Sequence, residues 1–318
     1  MVDQLTTADT CRVCGAHLNT DQFQINGLCR ECAEAHSIAS SDVVLAVDGS
    51  SLFGTAPVVL PEPVPDPDNP SWGPPAGVGV WLASVAAIIV LPIIAVMVWL
   101  LIQTVRGAPL PNLAVSEELI EWLKSPTLLL VQVLSTIVAH GITIAICWAV
   151  VSRMGRRPFW ASLGWNWAGH SVWYWLVFSA CVIVGLLIVS QLLARVLPQS
   201  EENSFTELLK SSAKVRIAIA VLATFTAPLV EEAVYRGVLY SGLRKTFGVA
   251  PTVLLVTLMF AGVHVLQYMG AWVSLAGLTL LSLALTLIRA RTKSILPCVA
   301  IHTVNNAFFA ILIVFNKV

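Results

Sequence analysis

The sequence predicts an all-α, polytopic transmembrane helix bundle of about seven spans, with a small four-cysteine module at its N-terminal end. Three observations lead there. Of the 318 residues, 57% are hydrophobic and only 11% charged, against roughly 25% charged in soluble domains. Mean hydropathy is +0.82. The apolar residues collect in runs near the length of about 20 residues that a helix needs to cross a hydrocarbon core about 30 Å thick. Lys plus Arg and Asp plus Glu both number 18, so no electrostatic case exists for binding nucleic acid.

Residues 1–40 form a polar module. "CRVC" and "CREC" place Cys11, Cys14, Cys29 and Cys32 as two C-x-x-C knuckles, with Gly15 after the first and Gly27 before the second. That pattern suits a tetrahedral four-cysteine structural zinc site of the ribbon type. So short a segment cannot bury an adequate apolar core, and bound metal would supply its folding energy. Free thiolates also imply a reducing compartment, so this end is expected in the cytosol, where a cytosolic partner could meet it. The other three cysteines, Cys147, Cys181 and Cys298, lie in apolar runs and read as small buried residues. Residues 41–77 are a linker; "PEPVPDPDNPSWGPP" is proline-dense and extended, a plain spacer.

The membrane domain is expected over 78–318, with spans at 78–102, 127–151, 172–194, 215–240, 250–268, 272–288 and 295–315. No internal repeat is evident, which argues against a transporter built from duplicated halves. Basic residues set the orientation. Arg153, Arg156 and Arg157, then Arg244 and Lys245, then Arg289, Arg291 and Lys293 fall in loops on one side. Seven spans place the N-terminus on that side, inside. Arg195, Lys210, Lys214 and Arg216 fall on the other side, partly offset by Glu201, Glu202 and Glu207. Ser204 and Glu207 have capping-box spacing and predict a short interfacial helix.

The residues that carry chemistry interrupt the apolar runs. "EEAVYR" puts Glu231, Glu232 and Arg236 inside the fourth span. A charge at a span centre costs roughly 2.5–3.5 kcal/mol, and three unpaired charges would rival a domain's whole stability. Glu232 and Arg236 are i, i+4 and share a face, so they can pair. Glu231 lies about 100° around the helix. It is left available as a general base. Pro228 removes one helix hydrogen bond and is expected to free the carbonyl of Thr224. "FAGVH" then places His264 four residues after Phe260, and "HTVNN" places His302 and Asn306 at i, i+4. A hairpin turning near Phe247 and Gly248 sets Glu231 and His264 at equal depth, both about 24 Å from the turn. His140, alone in the second span, reads as a packing residue.

The three motifs, E-E-x-x-x-R, F-x-x-x-H and H-x-x-x-N, resemble the signature of the CPBP family of intramembrane proteases, also called the Abi or CAAX prenyl protease type. The resemblance covers roughly 215–315, with weaker similarity at "RRPFWASLGW" (156–165). It implies an intramembrane endopeptidase acting on a membrane-associated substrate. Glu231 and His264 would activate the attacking water, His302 and Asn306 would bind the oxyanion, and Glu232 and Arg236 would support the site. Two chemistries stay open. The family is often labelled metalloprotease, and Glu231, His264 and His302 are also a plausible catalytic zinc set with one open position. A glutamate-activated water without metal accounts for the same residues. Two other functions compete with the protease: a non-catalytic membrane scaffold that recruits a cytosolic partner through the cysteine module, and a proton relay through Glu231 and His264.

Overall fold

The computed structural model describes residues 65–108, 116–198 and 204–315. The four-cysteine module, with Cys11, Cys14, Cys29 and Cys32, and the linker up to residue 64 lie outside the described residues. The chain divides into Met1–Glu62 and Pro63–Val318. The second unit is helical throughout, with no strand among the described residues.

Among the described residues, six helices are long and apolar enough to cross a membrane. The first is α1, Pro74–Val105, which starts on a Pro-Pro pair and ends before Gly107 at φ +67°. Proline suits the first turn, where its missing N–H has no partner to lose. At 32 residues it is about 48 Å long, so it must tilt or project beyond the bilayer. A short helix, α2 (Ser116–Leu123), leads into α3 (Pro126–Val151). After a helical turn at Phe159–Ser162, α4 runs over Val172–Leu193, its first turn capped by the Ser171 hydroxyl accepting from the Tyr174 N–H at 3.2 Å. The interfacial helix expected near Ser204 is α5, Ser204–Ser211.

The fourth expected span is α6, a continuous helical rod over Ala213–Phe247. Gly248, at φ +76°, ends it and starts α7, Val249–His264. The hairpin therefore turns where the sequence places it. However, α7 stops at His264 rather than continuing to 268, and its 16 residues span only about 24 Å. A turn through 265–270 leads to α8 (Trp272–Thr292), and α9 (Leu296–Phe315) closes the bundle. Arg289, a loop charge by sequence, belongs to the last turn of α8 and is fully buried.

Helix α6 is the centre of the unit. Its residues from Ala233 to Leu243 pack with Cys147 and Val151 of α3, Val256 and Phe260 of α7, and Trp72 ahead of α1. A second cluster joins Trp175 of α4 to Leu285 of α8 and Cys298 and Ile301 of α9. The large apolar side chains left outside, such as Met97, Leu101, Val177, Leu258 and Ile311, are more than half exposed. Buried between the helices are Thr143, Ser179, Thr252, Ser282 and Thr286. Apolar outside with small polar groups inside is the pattern of a protein whose solvent is lipid. The same pattern corrects one expectation: Cys147 and Cys298 are buried, but Cys181 is exposed on α4.

The end of the proline-dense stretch does more than bridge two parts of the chain. Asp68 and Trp72 are buried, and residues 65–73 lie as a strap against the ends of α6 and α8. Asp68 pairs with Arg289 at 2.9 Å and with Arg244 at 2.8 Å, and Lys293 stands 3.7 Å away.

Candidate active site

Helix α6 changes its winding on both sides of the glutamate pair. It is α-helical over Ala213–Val221, a π-helix over Leu222–Thr226, α-helical over Ala227–Glu232, and π again over Ala233–Leu239. A π turn bonds i to i+5, is wider than an α turn, and recurs at functional sites. In the first, the Ala227 N–H bonds the Leu222 carbonyl, five residues back. The next donor in that register would be residue 228, a proline with no N–H. The carbonyl it strands is that of Ala223, and Asn306 of α9 donates to it from Nδ2 at 2.8 Å. The expectation that Pro228 frees Thr224 assumes an α register; the carbonyl that Asn306 meets is one residue earlier, at Ala223.

Glu232 and Arg236 pair as their spacing predicts, Nη1 to Oε1 at 3.0 Å, both fully buried. The rest of the guanidinium is used by α8. Nε donates to the Thr286 hydroxyl at 3.2 Å, and Nη2 donates to the Ser282 carbonyl at 2.8 Å and hydroxyl at 2.7 Å. The Phe260 ring lies 5.0 Å from the guanidinium carbon, a cation–π contact. A buried charge held by a partner charge, fixed dipoles and a ring face avoids the penalty of isolation.

Glu232 has a second task that the sequence does not show. Its Oε1 also receives Nδ1 of His302 at 2.8 Å. An ionised carboxylate only accepts hydrogen bonds, so His302 donates there and Nδ1 carries a proton. That fixes the ring and turns Nε2 toward Glu231, whose Oε2 is 3.8 Å away. The two carboxylates differ in access: the Glu231 side chain is 24% exposed and that of Glu232 is 0%. Glu231 is the one with exposed surface.

His264 is tied in less directly. Its Nδ1 bonds the Phe260 carbonyl at 2.8 Å within its own helix. The Phe260 ring stands between it and His302, with ring centres 4.8 Å from His264 and 6.2 Å from His302. In the turn after α7, burial holds the Tyr268 phenol up at about 12, with the Glu231 carboxylate adding to the shift.

The arrangement thus brings Glu231, Glu232, Arg236 and His302 into direct contact range. The Phe260 ring contacts the rings of both His264 and His302, and Asn306 lies one turn beyond His302. Glu231, His264 and His302, as placed, do not make a three-ligand metal group: no group of three His, Cys, Asp or Glu among the described residues does. One nitrogen of His302 is held by Glu232, and one of His264 by a backbone carbonyl. Sequence reasoning misses Ser282, Thr286 and Arg289. Their spacing of four and three residues sets them on one face of α8, and that polar stripe in an apolar helix is a usable signal.

No curated protein and no solved structure matches this chain. Residues 213–308, which contain every one of these candidate residues from Glu231 to Asn306, match the family model described as Type II CAAX prenyl endopeptidase Rce1-like.

Proposed function

We propose that the protein is an intramembrane endopeptidase of the CAAX-protease type. The observation that carries the reading is Glu231: a partly exposed carboxylate inside a membrane helix, facing an imidazole that the buried Glu232–Arg236 pair holds in orientation. The family match over the same helices supports it.

In this reading Glu231 takes a proton from a water molecule as the water oxygen bonds to the scissile carbonyl carbon. Negative charge then develops on the carbonyl oxygen. His302 Nε2 and the second hydrogen of the Asn306 amide, whose first is held by the Ala223 carbonyl, would donate to it, as the motif resemblance implies. For Nε2 to donate, His302 must carry both protons, and the resulting imidazolium balances the charges of Glu231, Glu232 and Arg236 to zero. When the tetrahedral intermediate collapses, the C–N bond breaks and the proton returns to the leaving amine. His264 would assist at the water, as the motif resemblance implies. No step here is routed through a metal, because the three candidate ligands are not assembled as one group.

Substrates would be membrane-associated peptides or proteins, reached from the bilayer. The N-terminal module would hold a structural zinc at Cys11, Cys14, Cys29 and Cys32 on the cytosolic side, available to a cytosolic partner. The strap supports that orientation: Arg153 donates to the Ser71 carbonyl at 3.5 Å, and Asp68 meets Arg244 and Lys293, so the chain enters the bundle at its basic end.

The test is turnover of a quenched peptide ending in a prenylated cysteine and three further residues, using purified full-length protein in liposomes. Wild type is expected to cleave it. Glu231→Gln is expected to keep its melting temperature and lose at least about a hundredfold in kcat. Wild-type turnover by Glu231→Gln would refute the proposal.

A further inference from the structure

An unbroken line of polar contacts joins the strap to the glutamate pair. The strap carries its own turn: the Asn69 N–H bonds the Asp66 carbonyl and the Asp68 N–H bonds Asp66 Oδ1, both at 3.0 Å. That turn presents the Asp68 carboxylate and the Pro67 carbonyl together, and Arg289 of α8 takes both, at 2.9 and 3.0 Å. From Nε, Arg289 donates to the Arg236 carbonyl at 3.1 Å. Arg236 holds Glu232 Oε1 at 3.0 Å, and the same oxygen receives His302 Nδ1 at 2.8 Å.

The far end of this line depends on the near end. Both bonds to Glu232 fall on Oε1, and Oε2 accepts none among the described residues. The carboxylate therefore follows Arg236, and His302 follows the carboxylate. Ser282 and Thr286 fix the guanidinium, but the backbone beneath it lies in the second π turn, Ala233–Leu239. The strap reaches that turn at two carbonyls, that of Arg236 through Arg289 and that of Val238 directly, through the Trp72 indole at 2.9 Å. Close approach is built in: a Cβ on Gly242 of α6 would stand 3.0 Å from the Gly73 carbonyl. A plain spacer needs neither a carboxylate nor an indole at 7% exposure, each tied to the helix that carries the candidate base.

We infer that the strap is an activating latch of the hydrolytic site, with Asp68, Trp72 and Arg289 as positioning residues. Seated, it fixes the second π turn and with it the bond between His302 and Glu232. Unseated, it leaves the helix in place but the imidazole out of line with Glu231. This rests on the hydrolase reading above. The strap follows the N-terminal unit, which ends at Glu62, so the latch is also the covalent path from that unit to the site.

Asp68→Asn and Trp72→Phe loosen the latch at its two ends and leave every residue proposed to meet substrate intact. The assay is turnover of the same prenylated peptide in liposomes, at a temperature where fluorescence shows each full-length variant folded. Each is expected to lose at least about tenfold in kcat with KM changed less than about twofold, because misplacing a catalytic group by about 1 Å costs up to about a hundredfold. The second readout is the Nδ1–H resonance of His302, assigned by its loss in His302→Gln. It is expected to shift in both variants, whereas a strap that only stabilises the bundle leaves it in place. A kcat within about twofold of wild type, with the His302 resonance unmoved, would overturn the inference. Should Asp68→Asn fail to fold, Trp72→Phe decides alone, since it keeps a ring in the same place and loses only the indole N–H. Glu231→Gln is measured in parallel. If it turns over normally, the hydrolase reading falls and the His302 resonance still decides whether the latch holds the imidazole. If it is inactive while the strap variants match wild type, only the latch falls.

Discussion

Replacing Asp68 with Asn tests whether the strap holds the bundle. Asp68 lies 221 residues from Arg289 in sequence, yet its Oδ1 is 2.9 Å from Nη1 of that fully buried guanidinium. Arg289 in turn donates from Nε to the Arg236 carbonyl at 3.1 Å and from Nη2 to the Ser241 hydroxyl at 2.9 Å and the Pro67 carbonyl at 3.0 Å. An asparagine keeps the shape but removes the charge. Breaking one side of a buried ion pair costs about 3–5 kcal/mol. Arg289 retains three acceptors, which argues for the low end. The partly exposed Arg244 adds little, and the mostly exposed Lys293 adds nothing that salt would not screen. The expected loss is about 3 kcal/mol, or a melting temperature lower by about 6–12 °C for a unit of this size. The assay is thermal unfolding of the full-length protein in one detergent, followed by tryptophan fluorescence. A shift of less than about 1 °C, far under that expectation, would show that Asp68 is not the counter-charge for Arg289 and that the strap is only a passenger. Turnover is expected to fall in the same variant, because Arg289 is bonded to the backbone of the residue that pairs with Glu232.

Other outcomes rest on the same contacts. Arg236→Lys keeps a charge opposite Glu232 but abandons Thr286 and both oxygens of Ser282; a cost of about 2–3 kcal/mol in stability is expected, with His302 loosened and kcat reduced, both readable by unfolding and turnover. Gly164→Ala should be among the most damaging small changes, since Gly164 sits at φ +74° and an added Cβ would collide with the Lys293 carbonyl; about 3–5 kcal/mol is expected, seen as poor yield of folded protein. Full-length protein should carry one zinc by elemental analysis, lost in the Cys11→Ser, Cys14→Ser double variant. A zinc retained there, and removed by His264→Ala, would place a metal in the membrane site and require the hydrolytic steps to be rewritten.

The spans are legible because hydropathy reports burial in lipid directly, and every expected span after the first begins or ends close to an observed helix boundary. Helix α7 is overestimated because the apolar run continues through Val265 and Leu266 into a turn, and composition does not distinguish a turn packed on the bundle from a helix. Within the site, the Glu232–Arg236 pair is legible from i, i+4 spacing alone, since both ends lie on one helix. The bond from His302 to Glu232 is not. It spans 70 residues of sequence and depends on how α9 is rotated against α6, which no local pattern encodes. Arg289 is misplaced because charge counting treats any arginine at a helix end as a loop charge. Its burial depends on Asp68, which proline-rich composition assigns to a spacer.

The two π turns explain how such a site can be held still in a membrane. Between lipid-embedded helices the hydrophobic effect offers little attraction, so close packing and hydrogen bonds must do the positioning. In an ordinary α-helix each interior carbonyl already accepts one hydrogen bond from the helix itself. A π turn changes the register and leaves carbonyls for outside donors. Three carbonyls of α6 accept from outside donors, each on a different element: Ala223 from Asn306 of α9, Arg236 from Arg289 of α8, and Val238 from the Trp72 indole of the strap at 2.9 Å. Glu231 and Glu232 sit on the short α-helical piece between the two turns. The helix is thus tied to its neighbours on both sides of the carboxylates through its own backbone. On the intervening piece Glu232 is left to hold Arg236 and His302, and Glu231 to face His302 Nε2. Straightening the rod into a regular α-helix would rotate the residues beyond each π turn relative to the glutamates, shift the carbonyls that Asn306, Arg289 and Trp72 meet, and release the alignment of His302 with the glutamates.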